Sequence, residues 1–119
     1  MKRKSMPHCI IEYSDNLLKT IKPAQLLDAV YQGALASDLF GAADIKTRAV
    51  AFTDCRTENK PAGFIHITAR ILSGRTLAQR VALSQAILSE LTGLGLADIT
   101  LTAEVVEMER DSYAKQVIA

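Results

Sequence analysis

Residues 64–79 read Phe64-Ile65-His66-Ile67-Thr68-Ala69-Arg70-Ile71-Leu72-Ser73-Gly74-Arg75-Thr76-Leu77-Ala78-Gln79. The first nine, Phe64 to Leu72, are rich in β-branched and aromatic residues, and they predict a strand. Ser73-Gly74-Arg75 is a turn. Thr76 followed three residues later by Gln79 is a capping box, in which each side chain takes a backbone N–H that the helix start leaves unpaired. A helix comes next, its face traced by Leu77, Val81, Ser84, Leu88 and Leu91. Gly93 and Gly95 end it. Ile99 to Met108 then alternates Leu101, Ala103 and Val105 against Thr100, Thr102 and Glu104, the period of a strand.

The first half repeats this plan. His8-Cys9-Ile10-Ile11-Glu12-Tyr13 predicts a strand, and Ser14-Asp15-Asn16 supplies turn and cap chemistry. Pro23 suits a first helical position. Leu27, Val30, Tyr31, Ala34 and Leu35 recur at helical spacing, so the helix is expected from Pro23 to about Leu39, with Gly41 as its stop. Ile45 to Thr53 is the next strand, with Ile45, Thr47, Ala49, Ala51 and Thr53 on one face and Lys46, Arg48, Val50 and Phe52 on the other. Residues 57–63 are polar, hold Pro61 and Gly63, and read as a loop.

Strand, helix, strand, loop, strand, helix, strand is a pair of β-α-β units. A helix between two strands implies parallel pairing within each unit. The fold class is therefore α+β: duplicated β-α-β units forming one four-stranded mixed sheet with two helices on one face. The second sheet face is left bare, and an apolar bare face predicts a homo-oligomer that covers it.

The 119 residues suit a single domain spanning 1–119. Residues 1–6 differ in composition from the rest of the chain and read as a non-native or processed extension. The net charge of +1 and the absence of Trp argue against a nucleic-acid partner. No apolar run reaches the ~18 residues of a membrane span, and Glu12 interrupts the first apolar stretch too early for a secretory signal. Cys9 and Cys55 form no CxxC pair and are too few for a disulfide framework. Two reduced thiols place the expected location in the cytoplasm.

Chemistry is sparse. There is no GxSxG, P-loop, HExxH or GxGxxG. His8 and His66 each stand alone within a strand, with no second ligand at metal spacing, so no metal is expected and a structural role is the plain reading. Met6-Pro7 is the informative pair. Methionine is removed readily before a small residue, and a chain begun at Met6 would then carry Pro7 as a free secondary amine. Apolar walls around that amine disfavour its charged form and lower its pKa, which is what a base for proton abstraction needs. A proline at the start of an edge strand also has a purely structural reading.

Met6-Pro7-His8-Cys9-Ile10-Ile11-Glu12-Tyr13-Ser14-Asp15-Asn16-Leu17 closely resembles the opening of the 5-carboxymethyl-2-hydroxymuconate isomerase family of the tautomerase superfamily. The resemblance continues through Ala43 to Arg48, Phe64 to Thr68, Ser73 to Thr76, Glu104 to Glu107 and Tyr113 to Gln116. It implies a tautomerase-like homotrimer in aromatic-compound catabolism that acts without a cofactor. It also implies that Pro7, as an N-terminal amine, moves a proton along a conjugated enol bearing several carboxylates. Arg75 would hold one carboxylate, and Lys46 with Arg48 would bind others. Lys46 stands where the family typically has arginine. It supplies charge without the planar fork, which loosens carboxylate orientation and leaves open a tautomerase on another enol acid. An amide nitrogen has no basic lone pair, so a chain in which Pro7 is not first would be a non-catalytic trimeric binding protein.

Overall fold

The computed structural model describes residues 6–58 and 60–119; the expectation for the basic stretch 1–5 lies outside them. Four strands build the sheet: β1 (His8–Ser14), β2 (Lys46–Phe52), β3 (Gly63–Leu72) and β4 (Ile99–Met108). Their order is β2-β1-β3-β4. β1 pairs parallel with β2, β3 parallel with β4, and β1 antiparallel with β3. The antiparallel seam joins the two β-α-β units, as the duplicated pattern predicts.

Period-two alternation sets the faces. Cys9, Ile11 and Tyr13 of β1 and Ile65, Ile67, Ala69 and Ile71 of β3 are buried on one side, under the helices. Each such aliphatic side chain contributes about 1.5–3 kcal/mol on burial, so the two central strands carry most of the sheet's share of the core. The opposite face is less apolar than expected. Ile10, Phe52 and Phe64 share it with His8, Glu12, Arg48, His66 and Arg70, as their register positions require. Its need for a cover is therefore electrostatic as much as hydrophobic.

Helix α1 spans Pro23–Ala36, and the Gln25 side chain accepts from the Lys22 N–H at 2.9 Å. It stops three residues short of the expected Leu39. Asp38 takes a positive φ of 60°, which a helix cannot continue through. Leu39 and Phe40 instead turn back into the core. The buried stripe is Leu26, Ala29, Val30, Gly33 and Ala34, with Leu27, Tyr31 and Leu35 only at its margin.

Helix α2 spans Leu77–Thr92, and its capping box forms as expected: Gln79 N–H donates to Thr76 Oγ1 at 3.1 Å, and Thr76 N–H donates to Gln79 Oε1 at 2.8 Å. Its buried face is Leu83, Ile87 and Leu91, not the expected stripe through Leu77 and Val81. α2 carries apolar residues on two adjacent stripes, and packing against α1 selects one of them. Leu77 and Val81 are left exposed.

The Ser14-Asp15-Asn16 turn becomes a short 3-10 helix over Asp15–Lys19. Ser14 is buried, and its hydroxyl accepts from the Phe64 N–H at 3.1 Å, tying the end of β1 to β3. No helix among the described residues is long and apolar enough to cross a membrane.

Candidate active site

The strand directions gather chemistry at one end of the sheet. β1 and β2 begin there, and β3 and β4 end there, because His8 pairs with both Lys46 and Arg70 and Leu72 pairs with Met108. Pro7 is the residue just before β1. It is buried, and its carbonyl accepts from the Lys46 N–H at 3.1 Å, so the β1–β2 ladder fixes its backbone.

On the helix-free face beside Pro7, Lys46, His8 and Arg70 form a row across β2, β1 and β3. Arg48 stands one step further along that face of β2. Its Nη1 lies 3.2 Å from His8 Nδ1. On the other side of the ring, His8 Nε2 lies 3.0 Å from the Tyr113 hydroxyl. Lys46 Nζ donates to the Asp44 carbonyl at 3.3 Å and is otherwise exposed. Burial, and after it the charges of Arg48, Lys46 and Arg70, push the His8 pKa below its ordinary 6.5. The imidazole is thus neutral at pH 7, and this corner carries three fixed positive charges.

Arg75 is at the same end of the sheet but faces the other way. It lies between β3 and the N-cap of α2. Its Nη2 donates to the Leu39 carbonyl at 2.8 Å, and its guanidinium carbon lies 5.6 Å from the centroid of Phe40. The early stop of α1 is what brings Leu39 and Phe40 to this place. A guanidinium has five N–H donors, so the Leu39 bond anchors Arg75 and leaves donors for an anion. The predicted carboxylate ligands are therefore split: Lys46 and Arg48 gather around His8, and Arg75 stands apart toward α1.

Cys9, beside this cluster in sequence, points into the core. Burial pushes its thiol up to about 12, and Arg48 offsets that only in part. It is no nucleophile. His66 sits further along the helix-free face, with Nδ1 2.7 Å from Thr102 Oγ1 and Nε2 2.7 Å from Glu104 Oε2. Among the described residues no cluster of His, Cys, Asp and Glu could hold a metal ion.

Three participants escaped the sequence reading. Arg70, His8 and Tyr113 reach the site through strand register and through the return of the C-terminal segment, and neither is visible in local spacing. The alternation of β3 could have signalled Arg70, since it shares the parity of His66 and lies opposite the core residues.

Comparison with the curated proteins finds no match. Among solved structures, a 5-carboxymethyl-2-hydroxymuconate isomerase from Deinococcus radiodurans R1 is 26% identical, with a TM-score of 0.78, covering 94% of this chain and 90% of that one. A 5-carboxymethyl-2-hydroxymuconate delta-isomerase is 17% identical with a TM-score of 0.79, covering 95% and 89% of the two chains, and so shares the fold. A symmetric trimer of fused 4-OT is 16% identical with a TM-score of 0.63, covering 84% and 85%. The model of the 5-carboxymethyl-2-hydroxymuconate isomerase family matches residues 7–117. The match begins at Pro7 and runs through the Arg48 and Arg75 positions to Tyr113 and beyond, and the chain belongs to that family of isomerases within the tautomerase superfamily.

Proposed function

We propose that this protein is a cytoplasmic homotrimer that isomerises a carboxylated 2-hydroxydienoate of the class of 5-carboxymethyl-2-hydroxymuconate, with Pro7 as the acid-base residue. The observation that carries the reading is a buried Pro7 at the end of the sheet where Lys46, Arg48 and Arg70 stand on the helix-free face and Arg75 stands on the helix side. The substrate is a polyanion, and fixed guanidinium groups pair with carboxylates bidentately.

In this reading the residues ahead of Pro7 are removed. Met6 is bonded to the Pro7 nitrogen and is itself only 2% exposed. Its loss exposes an amine at the base of the space its side chain vacates. Desolvation keeps that amine neutral and basic. It takes a proton from the enol end of the conjugated system and returns it to carbon at the far end, so atoms balance and no cofactor or metal is consumed. Arg75 and the Lys46–Arg48 pair hold the carboxylates and stabilise the dienolate while the proton is in transit. Lys46, a point charge that already engages a carbonyl, favours a second reading in which the substrate is another enol acid.

The test is isomerase activity on 5-carboxymethyl-2-hydroxymuconate and a panel of other enol acids. One protein begins at Pro7 and the other keeps residues 1–6. The shorter form is expected to be active and the longer one inactive. Activity of the shorter form on a different enol acid alone selects the second reading. Inactivity of both on every substrate removes catalysis and leaves a binding protein.

A further inference from the structure

We propose that His8 is a positioning residue whose Nδ1 accepts a hydrogen bond from Arg48 and whose Nε2–H donates to Tyr113, so that the imidazole holds the Arg48 guanidinium at the Pro7 end of the sheet for a substrate carboxylate. This rests on the isomerase reading for what Arg48 binds, but not for the geometry.

Donor and acceptor inventory fixes the direction of both bonds. A guanidinium can only donate. Arg48 Nη1, 3.2 Å from His8 Nδ1, therefore requires a lone pair on Nδ1. In a neutral ring the proton then sits on Nε2, and Nε2–H donates to the Tyr113 oxygen 3.0 Å away. The Tyr113 hydroxyl keeps its own hydrogen free to donate elsewhere. One ring thus connects β1, β2 and the segment beyond β4. Arginine is long and has high rotamer freedom, and Arg48 lies exposed on edge strand β2. A single acceptor on the rigid central strand selects one of its orientations without neutralising it.

The charged groups facing the ring are Lys46 and Arg48 from β2 and Arg70 from β3, with Tyr113 from the C-terminal segment. All three ionised neighbours are cations, so they oppose protonation of His8. A protonated ring has two donors and no acceptor. It would then face Arg48 donor to donor and release it. Carboxylate binding should accordingly weaken in acid, on the side where His8 gains its proton.

Two arms test this, and one does not depend on catalysis. Long-range 1H–15N correlation spectra of the His8 ring should show the Nε2–H tautomer at neutral pH, and Arg48→Ala should raise the His8 pKa. A ring protonated on Nδ1, or a His8 pKa unmoved by Arg48→Ala, overturns the proposal. In the kinetic arm, His8→Ala should raise KM for the carboxylated dienol about tenfold with kcat nearly unchanged, the size of one hydrogen bond to a charged group. His8→Asn, whose Oδ1 can take the place of Nδ1, should keep KM within about threefold and remove the rise of KM in acid, because its amide does not titrate. In an Arg48→Ala background, His8→Ala should add nothing. Equal losses in both backgrounds would mean a merely structural histidine and would sink the idea. Should no enol acid be turned over, the isomerase reading falls by itself, and the tautomer and the pKa still decide the fate of the His8–Arg48 bond.

Discussion

A proline nitrogen, an imidazole and a thiol occupy three consecutive positions, Pro7, His8 and Cys9, and strand geometry sends them to different fates. Parity does the sorting. Cys9 turns into the core with Ile11 and Tyr13, whereas His8 turns out among the cations. The thiol, pushed up to about 12, has almost no thiolate at neutral pH, whereas Cys55 is exposed. A thiol-disulfide reagent added to the folded protein should therefore modify one cysteine, Cys55, and reach Cys9 only after denaturation; rapid labelling of two thiols in native buffer would contradict this packing. His8 gives a second residue-scale prediction. Its folded pKa lies below the unfolded value, so the unfolded chain binds the proton first as pH falls. The stabilisation is complete above 6.5 and is lost on acidification toward the depressed folded pKa. Urea midpoints measured from about pH 7 down to about pH 5 should decline, and His8→Asn should flatten the decline. Pro7, Arg48 and Arg75 were legible as candidates because a family-like run surrounds them. His8 was not, since a lone strand histidine carries no local sign of its partners: Arg48 and Tyr113 arrive through register and through chain return.

At the scale of elements, strands were read more faithfully than helices. The two central strands alternate cleanly, and β4 was delimited to the residue because its alternation from Ile99 to Val105 runs on through Val106 to Met108 with no turn residue between. The α1 end was misjudged because Asp38 takes a positive φ of 60°, and the α2 face for a separate reason. Both helices have apolar residues on more than one side, and which side is buried depends on the helix–helix contact. Gly33 marks that contact. A Cβ placed there would lie 2.7 Å from the Ile87 Cα, so the two backbones approach more closely than any side chain permits. Gly33→Ala brings two opposed effects. Alanine gains about 1 kcal/mol of helix propensity. Overpacking against backbone, which cannot rotate away, costs about 1–3 kcal/mol or more. Overpacking should win, with a net loss of about 1 kcal/mol in stability from urea unfolding; an unchanged or raised stability would show that α1 and α2 slide apart freely.

At the scale of the whole molecule, the sheet ends on both sides in an unpaired strand. β2 and β4 each offer a row of free N–H and C=O groups along one edge, and such edges invite pairing with another chain unless they are blocked. Lys46 and Arg48 charge one end of the β2 edge, and little blocks the rest of that strand. Val50, nearly half exposed, lies on β2, and the net charge of +1 gives no long-range repulsion between copies. A copy whose β4 or C-terminal segment approaches the β2 edge of the next makes a head-to-tail contact, and such contacts close into a ring when the rotation between copies allows. With one β2 edge and one β4 edge per chain, a closed ring leaves no edge open, and three copies are the smallest ring beyond a pair. The expectation is a native mass three times the 12.9 kDa chain, by light scattering on the eluting peak. Closure also makes a prediction about charge. Val50→Lys puts a cation on the β2 edge of every copy, beside the Lys46–Arg48 end of the same strand, and should shift the peak toward monomer at low salt. Retention of the trimer by that variant would place the contact away from β2, and a monomeric parent would mean that the two edges are tolerated without a partner.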